Sequence, residues 1–478
     1  MSTTASHRIA GERRGGGKVV THRSPWDPDD VFDVAVANDD LVDEAVVTAA
    51  QAFERERATP AHARRAWLDA AADAVDSDAA ALVDLLVRSI GKPRRAAEFE
   101  ARRAAAFLRL CGEELGRSRG ETLPADALPG VRDVWSFTTR EPRGVAALIT
   151  PFNAPLNLLA HKLGPAIAVG NAAVVKPSVE GAAVTERFID LIGSVLPSGL
   201  LNMVNGGAEI ARSLVAHDEV AVVSLTGGAV AGKSVLAAAG VKPVLLELGS
   251  NSPNIVLADA DLAHAAAKVG RAAFEAAGQQ CISAQRVLVE RDVFDEFLLL
   301  FVNEARRLVT GDPAAAATDI GPVIHDRARA RIESLIERTV AAGARAALDG
   351  RGADSQHPLV IGPTILVDPA DNAEVMTEEV FGPVAAVSGV DDLDYAIGVA
   401  NDAPGLLQAA CFTTNLRSAF HAAGTLRAGS VWINEATRAR LDTYPFGGTG
   451  RSGIGREGVR YAMDEMSQLK HVGIRLAQ

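Results

Sequence analysis

The sequence predicts an α/β protein: a doubly wound parallel sheet followed by a second α/β block. Three observations carry that expectation. Short, continuous apolar runs such as Val145-Ala146-Ala147-Leu148-Ile149 and Ala172-Ala173-Val174-Val175 read as parallel strands buried on both faces. Helical segments alternate with them at the spacing of crossover units. Asn153, Lys176, Thr226 and Glu247 all fall at the ends of such runs, where doubly wound sheets bind ligands.

Taken in order, residues 1–18 are polar, with Arg and Gly clusters and no apolar core of a secretory signal, and read as a mobile leader. Residues 41–119 have a helical pattern rich in Ala, Asp, Glu and Arg, whose charges read as solvated faces. Residues 120–130 are loop-like. Residues 131–139 alternate as a strand, ended by Glu141-Pro142-Arg143-Gly144. Strands are then expected at 145–149, 172–175, 200–204, 220–225 and 244–248, with helices between them. A helix over 259–272 leads to Cys281, and the second α/β block spans about 287–434. A glycine-rich turn over 445–453 follows. The tail, 467–474, is a lone strand, for which the isolated strand at 131–139 is a candidate partner.

Composition narrows the class. A chain of 478 residues suggests two or three domains. A net charge of -12 argues against a nucleic-acid or anionic-membrane partner. Apolar stretches are broken well short of a membrane span. Cys111, Cys281 and Cys411 are too few and too far apart for a disulfide framework or a metal cluster, so no metal site and a reducing cytoplasm are expected.

Chemistry concentrates in a few stretches. Gly278-Gln279-Gln280-Cys281 sets one thiol after a flexible glycine, at the foot of the apolar run Val287-Leu288-Val289. Alone, such a cysteine reads first as a small buried hydrophobe. Glu247 ends an apolar strand, where partial burial can tune a carboxylate into a general base. The Asn153 amide can donate to a developing oxyanion, and Lys176 can donate to a cofactor hydroxyl. A rival signal is Gly227-Gly228-Ala229-Val230-Ala231-Gly232-Lys233-Ser234, which satisfies the phosphate-loop pattern between a strand and a helix, with Asp259 ending a later apolar run. A nucleotide hydrolase is therefore an alternative, although it leaves Asn153, Lys176, Cys281 and the C-terminal glycine turn unused.

Together these residues resemble the aldehyde dehydrogenase superfamily, over nearly the whole chain. The resemblance rests on Pro151-Phe152-Asn153, Lys176-Pro177-Ser178, Leu225-Thr226-Gly227-Gly228, Glu247-Leu248-Gly249, Gly278-Gln279-Gln280-Cys281, Glu379-Val380-Phe381-Gly382-Pro383 and Pro445-Phe446-Gly447-Gly448 with Ser452-Gly453. It implies attack of a Cys281 thiolate on an aldehyde. The oxyanion is held by Asn153 and the Cys281 N–H, hydride passes to NAD or NADP, and Glu247 activates the water that hydrolyses the thioester. It places Lys176 and Glu379 on ribose hydroxyls, Phe381 near the nicotinamide ribose and Gly228 at the pyrophosphate. Thr150, Pro151, Phe152, Ser178, Thr226, Gly227 and Leu248 line the same cofactor. It implies a cofactor domain over 19–123 and 143–249, a catalytic domain over 250–445, and a small oligomerisation sheet from 124–142 and 461–478 that makes a homodimer or homotetramer.

Two departures stand out. Ser250 replaces a glycine usual after Gly249, which bears on how Glu247 swings. Val179 stands where many NAD-preferring members carry Glu, with Glu180 next, so neither cofactor is excluded. Motif wording is closest to the lactaldehyde-type branch, whose members act on small polar or anionic aldehydes. Arg438 and Arg440 fall in the segment lining the substrate mouth and are candidate partners for a substrate anion. A CoA-acylating semialdehyde dehydrogenase is the rival within the family, and the carboxylate at Glu247 argues against it. A non-catalytic protein on this scaffold has no use for Cys281, Glu247 and Asn153 together.

Overall fold

The computed structural model describes residues 3–117, 120–131, 133–352 and 357–475. The chain opens with five short strands: β1 (Thr3–Ala5), β2 (His7–Ile9), β3 (Glu12–Arg14), β4 (Lys18–Arg23) and β5 (Val31–Val36). Four helices follow: α1 (Asp39–Glu56), α2 (Ala61–Ser77), α3 (Ala79–Ile90) and α4 (Arg94–Glu114). After β6 (Thr122–Leu123) and β7 (Val134–Pro142) comes the alternating block. It comprises β8 (Val145–Ile149), α5 (Pro155–Val169), β9 (Ala172–Lys176), α6 (Ala182–Gly193), β10 (Leu201–Met203), α7 (Ala208–Ala216), β11 (Val220–Thr226), α8 (Ala229–Ala239) and β12 (Val244–Glu247).

These strands form one sheet in the order β12-β11-β8-β9-β10, all parallel, with β2 and β3 continuing it antiparallel beyond β10. The chain starts at β8, steps outward through β9 and β10, then returns to β11 on the other side. The order therefore reverses between β8 and β11, the crevice where such sheets take ligands. Strands β8 and β9 are buried throughout, as their unbroken apolar runs require.

A second sheet has the order β15-β16-β17-β14-β13-β18-β19. Its strands are β13 (Ser252–Val256), β14 (Ala284–Glu290), β15 (Arg345–Leu348), β16 (Thr364–Val367), β17 (Val384–Val390), β18 (Gln408–Phe412) and β19 (Ser430–Ile433). All pairings in it are parallel except β15 with β16. Helix α9 (Leu262–Phe274) joins β13 to β14. Each of the two large sheets has its own apolar core. Strand β20 (Gly453–Ile454) then crosses back and pairs with β12 beside Glu247. The final strand, β21 (Ser467–Arg475), pairs antiparallel with β7 from Ser467 opposite Pro142 to Arg475 opposite Val134. The two orphan strands of the sequence thus pair with each other, and β7 runs on through Glu141-Pro142, which the sequence reading took as its stop.

One expectation is corrected, and one rival reading loses its support. The segment 1–18 is not a mobile leader over its described residues. Strand β1 pairs with β5, and β2 extends the first sheet along β10. Polar composition concealed this because the charges are used inside. Arg8 is buried against Glu186 at 2.6 Å and against Asp190, His7 accepts from the Asn205 N–H, and Ile9 enters the core. Nor does Gly227–Ser234 wrap a phosphate as a long loop. Gly228 already caps α8, so Gly232, Lys233 and Ser234 lie within the helix. A Cβ at Gly232 would stand 2.6 Å from Leu248, so that glycine serves helix–strand packing. Asp259 is taken up by the hydroxyls of Thr413 and Thr414.

Candidate active site

The carboxyl edge of the first sheet faces the amino edge of the second. From the first come Thr150–Asn153 after β8, Lys176 ending β9, Thr226–Gly228 after β11 and Glu247 ending β12, with Thr226 and Glu247 side by side in register. From the second comes Cys281, three residues ahead of β14. Cys281 and Asn153 line a cavity of about 450 Å³, walled also by Asn157, Leu158, Ile282 and Phe446.

The cysteine loop is held by strained backbone. Ala276, Ala277 and Gly278 all have positive φ, at 54°, 55° and 64°. Each alanine in this region costs about 1–2 kcal/mol. Gly278 is required, because a Cβ there would collide with the Gly382 carbonyl of the Phe381-Gly382 turn, where Phe381 is also left-handed at 47°. Gln279 is anchored through its side chain to the Ile324 N–H at 3.0 Å, and its carbonyl accepts from the Asn153 amide at 2.9 Å. Among the described residues the Cys281 N–H donates to no protein acceptor. Asn153 and Cys281 thus line one cavity wall, joined through the Gln279 carbonyl. Burial, then the charges of Glu379 and Glu247, push the Cys281 thiol up to about 12.

Glu247 is 2% exposed and neither carboxylate oxygen has a partner among the described residues. Burial and the neighbouring Glu457 raise its proton affinity well above that of an ordinary carboxylic acid. Its Oε1 would lie 2.9 Å from a Cβ at Gly447, so the glycine turn of 445–453 makes room for it. Beneath it lies a buried ionic cluster that the sequence reading missed. Glu457 accepts from Lys162 at 2.7 Å and from Arg440 at 2.9 Å. Arg440 also donates to His161 at 2.8 Å and stacks 3.8 Å over the Phe446 ring. Burial works against the Glu457 anion, but Lys162 and Arg440 outweigh it and hold the group well below the usual carboxylate range.

Polar atoms along the carboxyl edge of the first sheet outline a groove suited to a cofactor. The Thr150 and Thr226 hydroxyls are buried without partners among the described residues. No side chain caps the N-terminus of α8, and a Cβ at Gly228 would meet nothing within 4 Å. Lys176 is buried, and that burial lowers its ammonium to about 8. Glu379 is raised to about 7 by burial, and its carboxylate fills the space a side chain at Gly249 would need. An uncapped helix N-terminus, free hydroxyls and a lysine–carboxylate pair of ends suit a dinucleotide. Ser178 binds the Gly181 N–H, Phe152 meets the Phe381 ring edge-on at 6.0 Å, Pro151 leads into Phe152, and Leu248 packs under α8. Ser250, the departure from the family pattern, turns its hydroxyl to the Leu407 N–H at 3.0 Å.

The expected substrate arginines are both engaged. Arg440 belongs to the buried cluster, and Arg438 pairs with Glu275 at 2.5 Å. Another functional pair escaped the sequence reading. Glu100, on α4, accepts from the Leu156 and Asn157 N–H groups at 2.9 and 3.2 Å, capping α5. Its ion-pair partner Lys92 donates to the Asn153 carbonyl at 2.8 Å. Periodicity held the signal: Glu100 shares the buried helical face of Ala97, Ala101 and Ala104.

Comparison with known proteins identifies the family. Residues 13–472 match the model of the aldehyde dehydrogenase family. The chain is 39% identical over 416 residues to aspartate-semialdehyde dehydrogenase 1 of Pseudomonas canavaninivorans, covering 87% of this chain and 88% of that one. It is 36% identical to 3-sulfolactaldehyde dehydrogenase of Priestia aryabhattai, covering 93% and 92%. The crystal structure of an NAD-dependent aldehyde dehydrogenase from Sinorhizobium meliloti superposes with a TM-score of 0.96 at 29% identity, covering 100% of this chain and 95% of that one. The chain belongs to the aldehyde dehydrogenase family.

Proposed function

We propose that the protein oxidises a small aldehyde bearing an anionic group to its carboxylic acid with NAD or NADP, through a thioester on Cys281 that Glu247 helps water to hydrolyse. The observation that carries this reading is the buried Glu247, without a partner among the described residues, whose charge raises the Cys281 thiol. A carboxylate with raised proton affinity suits a base that takes a proton near neutral pH.

The Cys281 thiol gives its proton to solvent, and the thiolate sulfur adds to the carbonyl carbon. The new oxyanion accepts from the Asn153 amide and the Cys281 N–H. A nicotinamide bound in the groove supplies the hydride acceptor, with Lys176 and Glu379 as the ends that hold its riboses. Glu247 then takes a proton from water as the oxygen adds to the thioester and sulfur leaves. Had a thiol such as CoA been the acyl acceptor, a buried base at Glu247 would have no task.

The names of two relatives, an aspartate-semialdehyde and a 3-sulfolactaldehyde dehydrogenase, both describe aldehydes with anionic groups. The sheet of β6, β7 and β21 leaves Trp135, Leu469 and Ile474 exposed, which supports its use in a homo-oligomer. The test is a panel of short aldehydes with NAD or NADP, with and without CoA, following reduced cofactor. Formation of the acid without CoA is expected. Strict dependence on CoA, or no reduction with any aldehyde, overturns the reading.

A further inference from the structure

We infer that Arg102, on the cavity face of α4, is the residue that selects a substrate with an oxyanion at the end remote from the aldehyde. The inference rests on the aldehyde-oxidising reading above and deepens it.

The cavity that holds Cys281 is lined by seven cationic side chains, although the whole chain carries a net charge of -12. Six of the seven are engaged by carboxylates. Lys92 pairs with Glu100, Arg95 with Asp319, Arg103 with Asp442 and Arg440 with Glu457, while Arg271 and Arg438 share Glu275. Arg102 is the exception: among the described residues it has no ion-pair or hydrogen-bond partner. Five carboxylates thus face seven cations, and the excess positive charge includes one whole, accessible guanidinium.

Its position on α4 is equally specific. Arg95, Ala96, Phe99, Arg102 and Arg103 fall at helical spacing and all face the cavity. The charges flanking Arg102 on this face are tied down on either side. Phe99 is 55% exposed and gives the same wall an apolar surface. Arg102 lies mid-helix, away from the C-terminal carbonyls that might otherwise hold a cation. An exposed guanidinium beside an apolar wall in a cavity of about 450 Å³ fits a short aldehyde whose far end is a carboxylate, sulfonate or phosphate, each able to accept the two-pronged arginine donor. The excess charge would also draw such anions in.

The experiment compares 4-oxobutanoate with butanal, equal in chain length and differing in the charge at the far end, for wild type, Arg102→Gln and Arg102→Lys. Arg102 is exposed and unpaired, so these variants leave the fold intact, which thermal melting checks. For Arg102→Gln, KM for 4-oxobutanoate is expected to rise about 10- to 100-fold, the worth of a charged hydrogen bond. Its kcat should stay within about two-fold and butanal kinetics should not change; Arg102→Lys should recover part of the loss. Calorimetric binding of succinate, the acid product, reads the same subsite without turnover and should weaken in parallel. Unchanged KM and unchanged succinate binding in Arg102→Gln overturn the inference while leaving the aldehyde-oxidising reading intact. Equal losses for butanal and 4-oxobutanoate also overturn it, since they mark a structural role. Failure of wild type to oxidise either aldehyde, with succinate still bound through Arg102, overturns the activity and keeps the subsite.

Discussion

Glu247 and Glu457 are neighbours, both buried, and opposite in character. Glu457 is gripped by Lys162 and Arg440, which favour its anion; Glu247 has no partner among the described residues, and burial raises its proton affinity. The difference is one of pairing, not of burial. A buried carboxylate with two cations is a structural part, costly to disturb. A buried carboxylate with none carries an energetic penalty when ionised, and that penalty is what makes it a ready proton acceptor.

This contrast can be broken in order of expected effect. Cys281→Ala removes the nucleophile that either carboxylate would serve; steady-state turnover should fall by about 10⁴-fold or more, with cofactor binding retained by fluorescence titration. Glu457→Gln leaves Lys162 and Arg440 without their shared anion and should cost about 3–5 kcal/mol of stability, read by chemical denaturation. Glu247→Gln should behave in the opposite way. It should release one equivalent of reduced cofactor per site and then stall, with a steady-state loss of about 10²–10⁴-fold, and it should not lower the melting temperature. Because folding raises the Glu247 pKa, the folded state prefers the protonated form. Its ionisation therefore costs stability progressively as pH rises above the unfolded value of about 4.5. The melting temperature of Glu247→Gln relative to wild type should accordingly climb between pH 5 and 8; a flat difference would mean that the carboxylate is not strained. The smallest effect expected is in Asn153→Ala, a loss of about 10²–10³-fold in kcat with KM little changed, since its amide is already oriented by Gln279.

How far the sequence reached can be argued from the same residues. Strands buried on both faces advertise themselves as unbroken apolar runs, so β8, β9 and β12 were legible, and with them Asn153, Lys176 and Glu247 at their ends. Glu457 was not. It lies in Gly455-Arg456-Glu457-Gly458, which looks like any polar turn, and only the return of β20 to the edge of β12 brings it under Glu247. Arg8 failed for a related reason: a charge paired inside the fold has the same letter as one in water. The phosphate-loop pattern offered a rival because a glycine needed for helix packing, Gly232, happens to fall at the spacing of one needed for backbone approach. Arg102 and Glu100 sit two residues apart, and their opposite fates depend on which side of α4 meets a neighbour.

That last pair has an evolutionary reading. Around the circumference of a single cylinder, one side fastens the loop that presents Asn153 through Glu100, while the side exposed to incoming molecules bears Phe99 and Arg102. Residues on the second side can be exchanged to suit a new metabolite without loosening the first, so this stretch of chain is where descendants of the enzyme could change diet while keeping their reaction.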